Sequence, residues 1–141
     1  MNTVSINCCH LIYKKQSYLL ITPDKFNRLH FSKYLETNFH FCIQRDCFID
    51  LTAEIMDSLH AIIILHSETS DYIEITSNKQ ALSALLTECE VDIRDKACVQ
   101  QSCLLISQLI NHVPVITLHY NTIENSANLL FNYLHTKKIP D

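Results

Sequence analysis

The apolar positions of this chain mix helical and strand-like spacing, and the sharpest signal is a run with no alternation at all. Ala61-Ile62-Ile63-Ile64-Leu65 is uninterrupted by a polar side chain, as expected of a strand covered on both faces of a sheet. Just before it, Thr52–His60 carries Ile55, Met56 and Leu59 on one side while Glu54, Asp57 and Ser58 point elsewhere, which predicts a short amphipathic helix. Phe39–Ile43 reads as another strand, joined to that helix by a polar loop. Strand, loop, helix and strand over Asn38–Ser67 make the unit that the rest of the chain flanks.

Before this unit, Thr3–Ile12 alternates loosely and Ser17–Thr22 is apolar, which predicts two strands joined through Lys14-Lys15-Gln16 and stopped at Pro23-Asp24. Phe26–Tyr34 fits a short helix or an irregular strand pair. After the unit, Ser67–Leu86 also has two readings. Tyr72, Ile75, Leu82 and Leu86 fall at helical spacing, with Asp71 and Glu74 as a capping box, and the longer stripe favours a helix. The competing reading is a strand over Asp71–Thr76, where Tyr-Ile-Glu-Ile-Thr has high strand propensity. Leu86–Val91 is then a short strand. Asp92 or Asp95 caps a helix reaching Asn111, with Cys98, Leu105, Ile106, Leu109 and Ile110 as its apolar stripe. Val113–Leu118 is a strand with Pro114 near its start. A last helix is capped by Asn121 with Glu124, carries Ile123, Ala127, Leu130, Phe131 and Leu134, and has Lys137 and Lys138 near its negative end.

The second half thus alternates strand and helix, and the first half adds an antiparallel pair. That order predicts an α/β fold: a doubly wound, mostly parallel sheet with helices on both faces, the architecture of small GTPases among others. No repeat, low-complexity tract or linker interrupts it, so residues 1–141 read as a single domain.

Composition changes this picture in three places. The net charge of −4 gives no electrostatic case for nucleic acid or an anionic membrane. No apolar run approaches the roughly 20 residues of a membrane span, and the first ten residues lack a signal-peptide pattern, which together predict a cytoplasmic protein. Seven cysteines are an odd number, so reduced thiols filling the core are expected rather than a disulfide framework. Most informative is the absence of glycine, where about ten would be usual at this length. Positive-φ turns must then fall to asparagine and aspartate. Phosphate loops, dinucleotide fingerprints and kinase loops are excluded by inspection, so no nucleotide and no cofactor is expected.

Candidate chemistry is sparse. Cys8-Cys9-His10 is the tightest cluster of metal-ligating residues, and Cys42/Cys47 and Cys98/Cys103 are each spaced C-x₄-C within predicted regular structure. None matches a paired zinc pattern, and no metal is expected. His60 and His66 bracket the buried strand and read as satisfied strand-end histidines, since no nucleophile or carboxylate spacing singles either out. No nucleophile elbow surrounds any serine. Cys47 has only Arg45 beside it to activate a thiol.

From Ser17 onward the order of elements resembles a Ras-type domain without its nucleotide site. Asn7–Gln16 has no Lys-Ser/Thr pair, and Asp46-Cys47-Phe48-Ile49 stands where an Asp-x-x-Gly would be. Asn78-Lys79 lacks the following aspartate of a guanine-reading motif, with Ala81 in its place. Phe41-Cys42-Ile43, Phe48, Thr52-Ala53-Glu54-Ile55, Ser58 and Ala61 resemble the alpha- and gamma-adaptin-binding protein family. Softer similarity runs back to Tyr18–Thr22 and forward to Val113–Leu118 and the last helix. The resemblance implies a pseudo-GTPase domain of a cytosolic assembly chaperone in vesicle trafficking, holding the small (sigma) subunit of a clathrin adaptor complex. The family's separate C-terminal region, which handles the large chains, has no counterpart in the part that matches.

On that reading Asp50, Glu54, Asp57 and His60 are the candidate partner-binding residues, although an acidic run along a helix is also what a solvated face looks like. Three functions stay open: a non-enzymatic chaperone or binding module, a structural subunit of another assembly, and a Cys/His-dependent hydrolase built on Cys47.

Overall fold

The computed structural model describes residues 4–22, 24–91 and 94–137, and gives the backbone alone for Lys25, Arg45, Asp46 and Cys47. Along the chain come β1 (Ser5–Tyr13), β2 (Gln16–Ile21), α1 (Lys25–Phe39), β3 (Cys42–Asp50), α2 (Ala53–Ser58) and β4 (Leu59–Ser67). They are followed by β5 (Tyr72–Ile75), α3 (Asn78–Thr87), α4 (Lys96–His112), β6 (Val115–Tyr120) and α5 (Ile123–Thr136).

The strands form one sheet in the order β3-β1-β2-β4-β6-β5. β2, β4 and β6 pair in parallel, whereas β1 pairs antiparallel with both β2 and β3, and β5 antiparallel with β6. The fold is therefore α/β with helices on both faces, as the sequence predicts. The sheet is mixed, however, and the expected mostly parallel arrangement holds only for β2, β4 and β6.

β4 organises the core because both of its faces are covered. Ala61, Ile63 and Leu65 pack with Phe31 and Leu35 of α1 and Ala127, Leu130 and Leu134 of α5. Ile62 and Ile64 pack on the other side with Ala81 and Leu85 of α3 and Ile106 and Leu109 of α4. Each fully buried Leu or Ile side chain contributes about 1.5–3 kcal/mol, so an unalternated strand is stable only between two helix layers. The helix α2 starts where predicted, with Thr52 Oγ1 accepting from Ile55 N at 3.2 Å, but ends at Ser58, and Leu59 and His60 already belong to β4. It buries no residue fully, and Ile55 and Met56 are only half-buried.

Several boundaries differ from the sequence reading. Residues 26–39 are one helix, capped by Asp24, and the strand placed at Phe39–Ile43 begins instead at Cys42 and runs through the supposed loop to Asp50. The turn between them is made by His40, which adopts a left-handed conformation at φ 64°. Over Ser67–Leu86 the strand alternative holds for Tyr72–Ile75, and a helix capped by Ser77 follows. Asp71 caps a different element: its carboxylate accepts from Asn121 N at 2.6 Å and from Thr122 N at 3.1 Å, at the start of α5. The N-cap of α5 is thus Thr122, not Asn121. Leu86–Val91 is no strand; only an isolated bridge joins Cys89 to Ile6. Asp95 accepts from Ala97 N and Cys98 N to cap α4, and Asp92, the other candidate, lies outside the described residues.

The left-handed positions also fall elsewhere than expected. Among the described residues positive φ occurs at Lys14, Lys15, His40 and Lys137, and at no asparagine or aspartate. Lys14 and Lys15 form the two-residue turn of the β1–β2 hairpin, with φ 48° and 67°. Hairpins of this kind favour Asn-Gly, because a β-carbon is strained at positive φ. Replacing Lys14-Lys15 by Asn-Gly should therefore raise stability by about 1–2 kcal/mol, read as a higher urea midpoint at unchanged slope. An unchanged or lower midpoint would contradict a strained turn.

Candidate functional site

Two features stand apart from the core: a histidine-lined cleft and an open sheet edge. The cleft, about 230 Å³, lies between the sheet and α3 and is lined by Ile64, His66, Glu74, Thr76, Gln80, Ala84, Thr117 and His119. It reaches the carboxyl ends of the parallel strands β4 and β6, the place where open α/β sheets usually take ligands. His66 and His119 are direct register partners on these strands, so the sheet alone brings them together across 53 positions of sequence.

The His119 ring is held on several sides. It is only 8% exposed, its Nε2 lies 3.0 Å from Glu74 Oε1, and Tyr72 stacks on it at 4.1 Å with 15° between planes. Its Nδ1 faces His66 Nδ1 at 3.3 Å. Glu68 closes the group: its Oε2 accepts from Thr69 N at 3.3 Å, and its backbone N donates to Tyr120 O at 2.8 Å. Loss of water, and after it the charges of Glu68 and Glu74, raise the Tyr72 phenol above its ordinary value. A tyrosine kept protonated beside two carboxylates serves as a stacking platform rather than a base. At the cleft floor Thr76 and Thr117 spend their hydroxyls on each other at 2.7 Å. None of the lining residues is a serine or cysteine.

The sequence reading singled out His66 only as a strand-end residue, and it passed over His119, Glu68, and Glu74 as a histidine partner. The available signal was the His-x-Glu at the end of one strand and a histidine near the end of another. Joining them needs the β4–β6 register, which no local pattern contains.

The longer of the two edge strands is β3. It pairs with β1 on one side and ends the sheet on the other. Phe48 on this strand is 52% exposed and sits opposite Asn7, whose Oδ1 accepts from the buried Arg28 guanidinium of α1 at 2.6 Å. Paired residues project to the same face of a sheet, so Phe48 lies on the side covered by α1. Cys42, at the strand's start, is exposed as well.

The four candidate partner-binding residues are all exposed but do not share one role. Asp50 ends β3 and accepts a hydrogen bond from Ser5 Oγ. Glu54 stands in the first turn of α2. Asp57 turns to α4, where His112 Nε2 lies 3.0 Å away. His60 sits where the β2–β4 register shifts, and its Nδ1 accepts from Ser17 N at 3.3 Å. For His60, then, the satisfied strand-end reading fits.

The thiols give little support to nucleophilic chemistry. Cys8 and Cys9 are fully buried, and the six described cysteines are all free. Burial first, then the neighbouring Glu88 and Cys103, push the Cys89 thiol up to about 12, which leaves almost no thiolate at neutral pH. The side chain of Cys47, on which the hydrolase reading depends, lies outside the described residues. Among the described residues no helix is long and apolar enough to cross a membrane. No family model, curated protein or solved structure matches the chain.

Proposed function

We propose that this domain is a non-enzymatic protein-binding module that takes up a strand of its partner along the open edge of β3. The observation that carries this reading is the nine-residue edge strand itself, unpaired on its outer side among the described residues and bearing an exposed phenylalanine. Exposed edges invite strand addition, in which backbone hydrogen bonds supply affinity and alternate side chains supply selectivity. Natural domains usually blunt a long edge with lysine, proline or a covering segment. β3 carries no lysine or proline, and among the described residues its one irregularity is a register shift against β1 between the Cys8–Cys47 and His10–Gln44 pairs.

The partner follows from the resemblance of residues 41–61 to the adaptin-binding family: an unassembled small (sigma) subunit of a clathrin adaptor complex, held until assembly. The domain is then a pseudo-GTPase in the sense of that family. Its first strand runs into the Lys14-Lys15 turn where a phosphate loop would be needed. Asp50 and Glu54 extend the β3 edge into α2 and give the interface a negative rim, while Asp57, directed to α4, lies at its margin. His60 contributes through the β2–β4 junction and not through contact.

The test is co-expression of the tagged chain with untagged small adaptor subunits, followed by size-exclusion chromatography. A stable one-to-one complex with at least one small subunit is expected. Glu54→Lys should slow its formation by reducing charge complementarity, while shifting stability by less than about 0.5 kcal/mol. Failure with the small subunits of every adaptor complex would overturn the partner assignment.

A further inference from the structure

We propose that His66, Glu68 and His119 hold a divalent cation of the zinc class, with Glu74 orienting the His119 ring from behind. Among the described residues these three make one group of ligating side chains whose donor atoms all lie within 4.8 Å of one another. The separation of the two Nδ1 atoms is 3.3 Å. Two imidazole nitrogens about 2.05 Å from one tetrahedral zinc stand roughly 3.3 Å apart. A direct N–H···N hydrogen bond would favour a shorter contact, near 2.9–3.0 Å by analogy with N–H···O.

The surroundings supply what such a ligand pair needs. The histidine that binds a metal usually donates its other ring N–H to a carboxylate, which fixes the tautomer and leaves the ligating nitrogen with its lone pair. His119 has that arrangement, since Glu74 faces Nε2 at 3.0 Å and Nδ1 is turned to His66. Tyr72 stacked on the ring at 4.1 Å restricts its rotation further. Glu68 is anchored through both its backbone and its carboxylate, so the third donor is on a fixed support. Two imidazoles and one carboxylate suit zinc and its later first-row neighbours better than magnesium or calcium, which prefer all-oxygen shells. Three protein donors leave a fourth position for water or a small anion, and both histidines also line the cleft. The site goes beyond the binding reading and departs from the expectation of no metal, which rested on the cysteine spacings, the Cys8-Cys9-His10 cluster and a satisfied strand-end reading of His66.

The decisive experiment titrates the intact chain with Zn²⁺ against a chromophoric chelator, and with Co²⁺ followed by visible absorption. One equivalent per chain is expected, with the intense d–d bands of a four-coordinate N/O site and no thiolate charge-transfer band. His66→Ala and His119→Ala should each weaken uptake by at least about 100-fold, and Glu74→Gln by about 10-fold. Because His66 is exposed, its variant stays informative even if the His119 variant folds poorly. Absence of saturable uptake, a thiolate band, or uptake unchanged in His66→Ala would overturn the assignment.

Discussion

Ile63→Asp is expected to abolish the cooperative unfolding transition of this domain altogether. Ile63 is fully buried at the centre of β4, between Tyr18, Leu20 and Ile116 of the sheet and the α1/α5 layer. A carboxylate placed there is surrounded by apolar side chains, so it is either buried uncompensated or protonated at a cost of several kcal/mol. To this is added the lost burial of the isoleucine, about 2–3 kcal/mol. Together these approach the whole stability of a domain this size, roughly 5–15 kcal/mol. Ile63→Val, which removes one methylene, should cost only about 0.5–1.5 kcal/mol. Ile55→Asp provides the contrast: Ile55 is half-buried on a helix with no fully buried residue, so that variant should remain folded. Circular dichroism with urea titration distinguishes the three, and a folded Ile63→Asp would contradict the two-layer core.

The second large effect concerns binding. Phe48→Lys should weaken capture of the partner by about 30–100-fold, the loss of an aromatic hot spot worth 2 kcal/mol or more. The stability of the free domain should barely change, because the ring is 52% exposed and exposed substitutions rarely exceed about 0.5 kcal/mol. Lysine on an edge strand also opposes addition of any further strand, since its charge would have to be buried. Isothermal titration of the variant against the co-purified partner measures the loss. Undiminished affinity would place the interface elsewhere.

How far the sequence carried the fold can be traced to particular residues. Ala61–Leu65 was legible because burial on both faces leaves no choice of side chain, and the helix start at Thr52 was legible because it is local. What escaped was non-local. Asp71 and Glu74 look like a capping box three residues apart, yet one carboxylate caps α5 and the other faces His119. Tyr72–Ile75 has both helical spacing and strand propensity, and pairing with β6 decides for the strand. Residues 26–39 show weak amphipathicity because a buried arginine, Arg28, stands on the inner face, where it binds Asn7. The absence of glycine points to asparagine and aspartate for the positive-φ turns, whereas among the described residues lysines and a histidine take those positions. The histidine cleft was invisible for the same reason as the Asp71 cap. Its members are ordinary strand residues until β4 and β6 are laid side by side in register.

The central claim, that β3 is the receiving edge, is tested most directly by backbone amide hydrogen exchange of the domain alone and in complex with its captured subunit. In the free chain the outward-facing amides of Cys42–Asp50 should exchange quickly, while those directed to β1 are protected. On complex formation the outward-facing set should gain protection of at least tenfold, with β5, at the opposite edge, unchanged. Protection appearing elsewhere in a stable complex, with the outer amides of β3 still exchanging freely, would contradict the account.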